Sequence, residues 1–431
     1  MSSDYDFDVA IIGAGPAGLA AALTLAKAGV DTVVLERGQH PGAKNVSGAA
    51  LYGPVLNNLI PNYWEDQESF ERFLTTKKIT MLSGNKCMTI DIDIQDFKEP
   101  PYNGITVLRP KFDRWLAKKA EEAGAMILPD SVVDDFVWDD KQICGVKSGE
   151  EELRTKIVII AEGSNHLLVE KANLGHVPKS RHHAVGMKET YELSDEQMEQ
   201  RFSLIGNEGC SNEILGYTKG IPGGGFFYTN KNTLSFGLIL NLKSLTKKKL
   251  KAPEVLEHFK THPYVQKLLQ DAEMVEYSAH TIPEGGFKDM SKLYGNGVLV
   301  VGDAAGLVLN AGLYIEGMNF ALESGRLAGE ATKLILESGD FSSESTKIYL
   351  DNLKKNFVYQ DMKIFKRAAK FLENERIFTQ YPDLITSLMD KLLRNSGKPR
   401  KRIVTTAIKH LLKEGKLLKL FKDAIGGLRS I

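Results

Sequence analysis

Residues 7–18, F-D-V-A-I-I-G-A-G-P-A-G, decide the fold of this 431-residue chain. Phe7–Ile12 is a short and mostly apolar run, which is typical of a buried parallel strand. The glycine-rich turn Gly13–Gly18 follows it directly, and the alanine- and leucine-rich segment Leu19–Ala28 has the composition of a helix. A second apolar run, Thr32–Leu35, then predicts another strand. The order of these elements predicts a strand–helix–strand unit in a parallel sheet.

The turn has the spacing G-x-G-x-x-G, which alone also occurs in ordinary glycine-rich turns. Between a strand and a helix, Gly13 allows the tight turn, Gly15 lets a pyrophosphate approach the backbone, and Gly18 lets helix and strand pack closely. The helix N-terminus offers free N–H groups to the phosphates. Glu36 follows the second strand and is placed to accept hydrogen bonds from an adenosine ribose. The sequence therefore predicts a dinucleotide site.

Charge is unevenly distributed along the chain. Lys and Arg number 55 and Asp and Glu number 55, so the formal net charge is zero and no nucleic-acid binding is expected. From Lys398 to Ile431, however, ten basic residues stand against two acidic ones. Val404, Leu411, Leu418 and Ile425 recur every seven residues in this tail. The tail is either a terminal helix packed on the body or a helix that lies on an anionic membrane surface or docks a partner.

Cysteine is scarce. Cys87, Cys144 and Cys210 are isolated and have no C-x-x-C spacing. This argues against a disulfide framework and against a metal or iron–sulfur site within the chain. The first residues are acidic rather than basic, so no secretory signal is expected.

Two segments have either a structural or a ligand-binding interpretation. Gln39–Gly48 is rich in turn formers and small residues, which suits a loop against a flat ligand and equally a plain surface loop. Arg109 stands at the start of a predicted helix that runs to about Ala123. It is either a surface arginine or a cation that reaches ligand phosphates or ring carbonyls.

The composition changes between about Arg181 and Pro283. Strand-like runs such as Ala184–Tyr191 and Leu234–Leu242 dominate this region and predict a sheet-rich domain inserted into the first. Inside it, Gly220–Gly225 holds four glycines in six positions. This stretch is either a flexible turn or a wall that a flat ligand approaches closely.

Three segments bear on which dinucleotide is bound. The buried strand Lys156–Ala161 ends in the small polar turn Glu162–Asn165, which is how an α/β sheet usually presents backbone to a cofactor. Asp303 follows another buried strand, so its carboxylate faces a crevice. Gly312–Gly317 leads into a helix predicted over Met318–Glu337, whose N-terminus would stabilise negative charge on a reduced flavin ring. NAD needs one strand–helix–strand unit, whereas an extended FAD needs a distant acid for its ribitol, so these segments favour FAD.

The combination of motifs resembles the electron-transfer flavoprotein:quinone oxidoreductases, and most closely the FixC-type subunits of Fix membrane complexes. The most specific pieces are Gly13–Gly18, Pro41–Gly48, Arg109–Leu116, Ile282–Gly286 and Gly302-Asp303 with its following helix. The first and last also occur in the wider FAD class that includes geranylgeranyl reductases and aromatic hydroxylases. The resemblance covers nearly the whole chain.

The resemblance and the patterns above predict an α/β fold with three parts. A Rossmann-like FAD-binding domain of the glutathione-reductase or hydroxylase type is expected over residues 1–80, 105–180 and 284–340. An inserted sheet-rich, quinone- and membrane-facing domain is expected over 81–104 and 181–283, and a helical C-terminal region with the basic tail over 341–431.

The resemblance also implies residue roles. The predicted cofactor-binding residues are Gly13, Gly15, Ala17, Gly18, Glu36, Arg37, Lys44, Val46, Ser47, Gly48, Arg109, Glu162, Gly163, Gly302, Asp303, Gly312, Gly317 and Met318. The family's quinone pocket contains Tyr-Gly-Gly-Ser-Phe-Leu-Tyr, and the matching segment here is Pro222–Tyr228. Gly223, Gly224, Phe226 and Phe227 are therefore the predicted quinone contacts, while Pro222 replaces the tyrosine. No catalytic acid or base is assigned, and Tyr228 is a candidate proton source near the quinone.

Partners follow from the same resemblance. The full-length oxidoreductases end in a cysteine-rich iron–sulfur domain that this sequence lacks. In Fix systems a separate ferredoxin-like subunit supplies the cluster, and electron-transfer flavoprotein subunits of the alpha and beta type bifurcate electrons from NADH. The resemblance thus implies a peripheral protein on the cytoplasmic side of the cell membrane that reduces a membrane quinone.

Two alternatives stay open on the sequence. A geranylgeranyl-type reductase of prenyl lipids also combines a FAD domain with an apolar cap, although the Tyr-x-Trp-x-Phe-Pro motif of its cap is missing here. A flavin-bearing assembly or anchor subunit that docks partners without reducing quinone also fits the basic tail.

Overall fold

The computed structural model of the chain describes residues 5–44, 49–175, 183–312, 314–395, 397, 399, 402–413 and 417–431. In chain order the strands are β1 (Phe7–Ile12), β2 (Thr32–Leu35), β3 (Ala49–Leu51), β4 (Phe73–Ser83), β5 (Lys86–Asp93), β6 (Ile105–Val107), β7 (Met126–Leu128), β8 (Asp135–Asp139), β9 (Gln142–Ser148), β10 (Glu151–Ile160), β11 (His183–Glu192), β12 (Glu208–Leu215), β13 (Gly223–Thr229), β14 (Thr233–Asn241), β15 (Glu273–Pro283), β16 (Tyr294–Gly295), β17 (Val298–Val300), β18 (Leu309–Asn310) and β19 (Ile315–Glu316).

The helices of the described ranges include long ones beside the first sheet and a run of short ones near the C-terminus. They are α1 (Pro16–Lys27), α2 (Gly53–Leu59), α3 (Arg109–Glu122), α4 (Leu167–Lys171), α5 (Asp195–Phe202), α6 (Leu242–Lys248), α7 (Ala252–Lys260), α8 (Pro263–Leu268), α9 (Met318–Ser338), α10 (Ser343–Thr346), α11 (Ile348–Lys355), α12 (Phe357–Ile364), α13 (Ala368–Leu372), α14 (Glu375–Leu393), α15 (Ile403–Lys413) and α16 (Leu417–Leu428).

The first sheet is parallel at its centre, as the opening motif predicts. Its strand order is β16-β17-β10-β1-β2-β7, with β9 and β8 continuing from β10. Strands β17, β10, β1, β2 and β7 run parallel, and Ile12 of β1 pairs with Ile160 on one side and Leu35 on the other. Since the carboxyl ends of these strands meet at one edge, the turns that follow them gather there. The predicted Rossmann-like α/β class is confirmed.

Helix α1 is rich in alanine because it is enclosed on nearly all sides. It lies between the first sheet and α9, and its residues from Pro16 to Leu23 are buried. Gly325 and Gly329 let the backbone of α9 come close: a Cβ at Gly325 would lie 2.0 Å from Ala17 O, and one at Gly329 would lie 2.8 Å from Thr24 Cβ. Close packing of this kind fixes the positions of both helices relative to the sheet.

The second sheet has nine strands drawn from two parts of the chain, 49–107 and 183–283. Its order is β15-β11-β14-β13-β12-β4-β6-β3, and β5 pairs with β4 as well. All neighbours are antiparallel except β4 and β12, which run parallel. Strand alternation places Phe227 on the face that packs with Phe202 of α5, and places Phe226 and Tyr228 on the opposite face.

The predicted domain division stays a prediction. The sheet-rich region expected at 81–104 and 181–283 belongs to the second sheet, but so do β3, the whole of β4 and β6. The sequence did not indicate this sharing, because β4 finds its partner β12 far along the chain and a lone strand carries no signal of its partner.

The C-terminal region is helical, as expected, and its last two helices contact the preceding ones. His410 of α15 is buried against α14, with its Nε2 3.2 Å from Leu384 O. Asp423 of α16 pairs with Arg376 of α14. Within the described ranges no helix is both long and apolar enough to cross a bilayer.

Candidate functional site

The glycine turn between β1 and α1 forms one wall of a cavity of about 820 Å³, called here the first cavity. Gly13 has a φ of +102°, and a Cβ there would lie 2.6 Å from Ala161 O. A Cβ at Gly18 would lie 2.0 Å from Gly13 O, so Gly18 is required for packing within the turn. At Gly15 the nearest atom is Arg109 Nη2, 3.8 Å away. Of these three glycines, Gly15 is therefore the one that leaves room for a ligand at the start of α1.

Glu36 lies in the same cavity, directly after β2. Its two carboxylate oxygens accept hydrogen bonds from the backbone N–H groups of Ala14 (2.8 Å) and Gly38 (2.7 Å). Each carboxylate oxygen has a further acceptor position. Glu36 is thus held in a fixed orientation by the glycine turn and can still accept ribose hydroxyls. Arg37 and Lys44 line the cavity nearby.

Arg109 and Asp303 bring opposite charges to the first cavity. Arg109 is the first residue of α3 and forms a bidentate ion pair with the fully buried Asp113. Asp303 follows β17, and burial raises the pKa of its carboxyl group while Arg109 and His280 lower it. His280, on β15, lies beside Ser164 with Nε2 3.3 Å from Oγ, and burial lowers the pKa of its imidazole.

The N-terminus of α9 also opens into the first cavity, through Gly317 and Met318. Just before it, Glu316 accepts a hydrogen bond from the side-chain amide of Asn319, whose Oδ1 in turn accepts from Tyr52 N at 3.0 Å. Burial raises the pKa of Glu316 to about 7, although the Asn319 hydrogen bond lowers it. A helix dipole and a carboxyl group that titrates near neutrality thus lie side by side.

Glu162 was predicted to bind the cofactor, and the structure gives its side chain another partner. The carboxylate accepts hydrogen bonds from the backbone N–H groups of Leu167, Leu168 and Val169, and so caps α4. Gly163 has a φ of +71° and lines the cavity, and a Cβ added there would meet no atom within 4 Å.

Most of the predicted cofactor residues meet in the first cavity. Its lining includes Gly13, Gly15, Ala17, Glu36, Arg37, Lys44, Arg109, Glu162, Gly163, Asp303, Gly317 and Met318. Gly18 and Gly302 are packing positions: a Cβ at Gly302 would lie 2.9 Å from Ala17 Cβ. The predicted Val46, Ser47 and Gly48 lie outside the described residues.

A neighbouring cavity of about 690 Å³, called here the second cavity, contains most of the predicted quinone contacts. Gly223, Gly224 and Phe226 line it, together with Gly312, which was predicted for the cofactor. Its other wall comes from the C-terminal helices, through residues such as Ala369 and Phe378. The second cavity is therefore formed between the second sheet and the helical region.

The glycines of this wall are required by their own neighbours as well as by any ligand. A Cβ at Gly223 would lie 2.0 Å from Ile239 O, and one at Gly224 would lie 2.7 Å from Ile214 O. At Gly225 it would lie 2.5 Å from the ring of Phe259. The run of glycines is thus explained first by close strand and helix packing.

Phe227 and Tyr228 are absent from the lining of the second cavity among the described residues. Phe227 is buried on the other face of β13, 5.2 Å from the ring of Phe202, which corrects the expectation that it contacts a quinone. Tyr228 is 8% exposed and stacks on Phe226. Burial raises the pKa of its phenol, so Tyr228 is a weak proton donor for the second cavity.

The two cavities share one wall. Ile239, Glu284, Asn310 and Ile315 line both of them, and this set is called here the partition. Asn310 and Ile315 are paired residues of the β18–β19 hairpin. Asn310 Nδ2 donates to Glu284 Oε1 at 3.2 Å. A ligand in the first cavity and a ligand in the second would therefore be separated by a single layer of side chains.

Several residues of the site had no predicted role. They are His280, Glu284, Asn310 and Glu316; the segments that contain Glu284 and Glu316 were singled out, but these two side chains were given no role. The one available signal was the run Ile282–Gly286, where a strand-like segment ends in Pro283 and an acid.

Comparison with known proteins finds three family models that match parts of the chain. The model of the pyridine nucleotide-disulphide oxidoreductase family matches residues 7–214. The model "ETF-QO, ubiquinone-binding" matches residues 183–282, and "ETF-QO/FixC family C-terminal domain" matches residues 368–431. The pyridine nucleotide-disulphide oxidoreductase model covers most of the residues that line the first cavity. The ubiquinone-binding model covers Gly223, Gly224 and Phe226 of the second cavity.

Full-length relatives are also found. The chain is 38% identical to the probable electron transfer flavoprotein-quinone oxidoreductase YdiS of Escherichia coli, over 100% of both chains. It is 39% identical to Protein FixC of Salmonella typhi over 99% of both. Among solved structures, a geranylgeranyl bacteriochlorophyll reductase-like protein from Thermoplasma acidophilum superposes with a TM-score of 0.73 at 21% identity, covering 97% of this chain and 98% of that one. At that identity the structural likeness concerns the fold alone.

Proposed function

We propose, on the premise that the chain belongs to the ETF-QO/FixC family of FAD-dependent oxidoreductases, that it passes electrons from an electron-transfer flavoprotein to a membrane quinone. FAD is the cofactor of this family fold. Membership of the family gives the fold and the cofactor, and we infer the direction of electron flow, the partners and the location at a membrane.

The observation that carries the proposal is the partition. A flavin in the first cavity and a quinone in the second would be separated only by Ile239, Glu284, Asn310 and Ile315. Ile315 lies two residues before Gly317, so the N-terminus of α9 is close to the partition. Electron transfer between two bound groups needs this kind of proximity, and the side chains keep the groups apart.

The residues of the first cavity fit FAD. Glu36 is oriented for the adenosine ribose, Gly15 and the start of α1 leave space for the pyrophosphate, and Arg109 places a cation next to that space. Asp303 suits the ribitol hydroxyls, and the N-terminus of α9 suits negative charge on the ring. FAD supplies the ability to take up electrons singly and to release two.

The C-terminal helices support attachment to a membrane surface. Ile403, Val404, Ile408 and Leu412 of α15 are exposed, and so is Phe421 of α16. Basic residues such as Lys366, Arg367 and Lys370 stand at the second cavity. An exposed apolar face beside positive charge is typical of helices that lie in the interface of an anionic membrane. We place the protein peripherally on the cytoplasmic side, with the second cavity toward the lipid.

The relatives named FixC extend the proposal to a complex. In it, electron-transfer flavoprotein subunits of the alpha and beta type deliver electrons derived from NADH by bifurcation, and a ferredoxin-like iron–sulfur subunit relays them. Neighbouring chains that copurify with this protein, identified by mass spectrometry, test this part of the proposal.

The quinone step is tested by narrowing the second cavity. Reduced, FAD-loaded protein is mixed anaerobically with a water-soluble menaquinone analogue, and quinol formation is followed together with flavin absorbance. Ala369→Trp places an indole in the second cavity and should slow quinol formation by about tenfold or more, because the quinone loses its position. Ala279→Trp, at an exposed position of β15, is the matched control.

The outcomes separate the candidates. A wild-type protein whose reduced flavin leaves the quinone unaltered would refute the quinone step and favour an assembly subunit. Saturation of a prenyl chain in place of quinol formation would favour the prenyl lipid reductase.

A further inference from the structure

The partition contains one ionisable side chain among the residues that the structure describes. Ile239 and Ile315 are apolar and Asn310 is an amide, whereas Glu284 has a carboxyl group. Glu284 therefore is the group of the partition that can hold or release a proton between the two cavities.

The fold fixes the position of this carboxyl group. Glu284 follows Pro283, the last residue of β15, so the end of the second sheet carries it to the partition. Asn310 Nδ2 donates to Glu284 Oε1 at 3.2 Å, and Asn310 is itself held by its pairing with Ile315. The residue after Glu284 is Gly285, and a Cβ added to it would lie 2.1 Å from Asp289 Oδ2. A second carboxylate therefore lies close to the backbone next to Glu284.

Burial raises the pKa of Glu284 above its ordinary value, and the hydrogen bond from Asn310 lowers it in part. Around it, the first cavity contributes His280 on β15 and Glu316 on β19. The second cavity is lined by three acidic and five basic residues: Glu213, Asp289 and Glu373, and Lys243, Lys288, Lys366, Arg367 and Lys370. Since a carboxyl group with a raised pKa retains its proton nearer to neutrality, Glu284 is suited to donate one.

We propose that Glu284 donates a proton to the quinone in the second cavity, an inference that rests on the proposed function. Reduction of a quinone to its quinol takes two electrons and two protons. Bound FAD in its reduced, anionic form would supply both electrons and would release its own proton to solvent through the first cavity, while one proton for the quinone would enter from solvent through the second cavity. The second proton comes from Glu284: the carboxyl O–H bond breaks, an O–H bond forms on the quinone oxygen, and a carboxylate remains. The carboxylate regains its proton from solvent through the second cavity.

The test compares two electron acceptors. Glu284→Gln keeps the size of the side chain and removes the transferable proton. In the FAD-loaded protein it should slow reduction of a menaquinone analogue by about 100-fold, because general acids typically contribute this much or more. Reduction of ferricyanide, which takes one electron and no proton, should stay unchanged. Glu254→Gln, exposed on α7, is the matched control and should leave both rates unchanged.

A second readout does not depend on turnover. A pH titration of the resting protein by difference infrared spectroscopy should show a carboxylic-acid band that Glu284→Gln removes and Glu254→Gln leaves. The rate of turnover should agree with this titration. In the wild type, the rate of quinone reduction should fall as pH rises through the pH at which the band disappears. Glu284→Gln should lack this fall in rate.

The outcomes distinguish the inference from its premise. Equal loss of quinone and ferricyanide reduction in Glu284→Gln would assign the residue a structural role and overturn the inference. Quinone reduction by Glu284→Gln at the wild-type rate would overturn it as well, with the quinone reductase function intact. A wild-type protein that reduces ferricyanide but no quinone would overturn the proposed function itself.

Discussion

Arg109 and Asp113 form a bidentate ion pair one helical turn apart at the start of α3. Arg109 Nε lies 2.9 Å from Asp113 Oδ1 and Nη2 lies 2.8 Å from Oδ2. The Asp113 side chain is 0% exposed, whereas the arginine is 16% exposed and lines the first cavity. The buried acid therefore sets the orientation of the cation that faces the space next to Gly15.

Asp113→Asn should lower both stability and FAD affinity. Removing one partner of a buried ion pair leaves the other charge poorly compensated and typically costs about 3 kcal/mol or more. We expect a lower midpoint in thermal unfolding of the FAD-free protein and weaker FAD binding in fluorescence titration. Asp351→Asn removes an acid that pairs with Lys354 at the surface, and should change stability by less than about 1 kcal/mol. Equal effects of the two substitutions would contradict the assigned role.

Gly15→Val should yield a folded protein without FAD. The added side chain meets the first cavity rather than the backbone, since its nearest neighbour is Arg109 Nη2 at 3.8 Å. It would therefore block the pyrophosphate position and leave packing largely intact. Circular dichroism and the ratio of flavin absorbance to protein absorbance check both points, and stoichiometric flavin in the variant would refute the assignment.

Gly18→Ala, in contrast to Gly15→Val, should lower the stability of the protein itself. Its Cβ would lie 2.0 Å from Gly13 O, a clash with backbone that the turn can relieve only by moving. We expect a loss of stability of about 3 kcal/mol, measured by denaturant unfolding in the absence of FAD. A stable variant that only lost flavin would contradict this division of tasks between the glycines.

Serine at Ile408 and Leu412 should weaken membrane binding without unfolding the tail. Both side chains are exposed on α15, while His410 on the same helix is buried against α14. Loss of two apolar side chains from the interface should reduce sedimentation with anionic vesicles by about tenfold or more. Met126→Ser with Leu334→Ser, at exposed positions of β7 and α9 outside the expected membrane-facing domain, is the control. Unchanged vesicle binding of the α15 variant would leave the tail as a packing element.

Acidification should release α16 from α14. Arg376 donates two hydrogen bonds of 2.7 Å to Asp423 and, with Tyr381, holds the pKa of that carboxyl well below its usual range. A depressed folded-state pKa contributes stability that is complete above the unfolded-state pKa of about 3.9 and is lost as pH falls below it. Hydrogen exchange of α16 peptides, corrected for its intrinsic pH dependence, should therefore increase below that pH. Asp423→Asn should show fast exchange at every pH.

Local patterns of the sequence predicted part of the lining of the first cavity. Glu36 and Asp303 could be placed because each follows a buried strand, and parallel strands bring their carboxyl ends together. Gly15 could be separated from an ordinary turn residue because the strand and helix around it are both evident.

Features that depend on register or on distant partners were not predictable. The side of β13 that Phe227 occupies is set by pairing with β12 and β14, and a shift of one residue would reverse it. The helix-capping role of Glu162 depends on a tight turn before α4. The contact of Glu284 with Asn310 joins two segments that share no local pattern.

The parallel pairing of β4 with β12 has a consequence for biosynthesis. When Phe73–Ser83 leaves the ribosome, the strand that completes its hydrogen bonds, Glu208–Leu215, has not been translated. At ordinary rates of translation the delay is on the order of ten seconds. During that interval the nascent chain exposes an unsatisfied strand edge, which is a substrate for chaperones and a site of aggregation. Yield in a heterologous host should therefore depend on translation speed between these two segments.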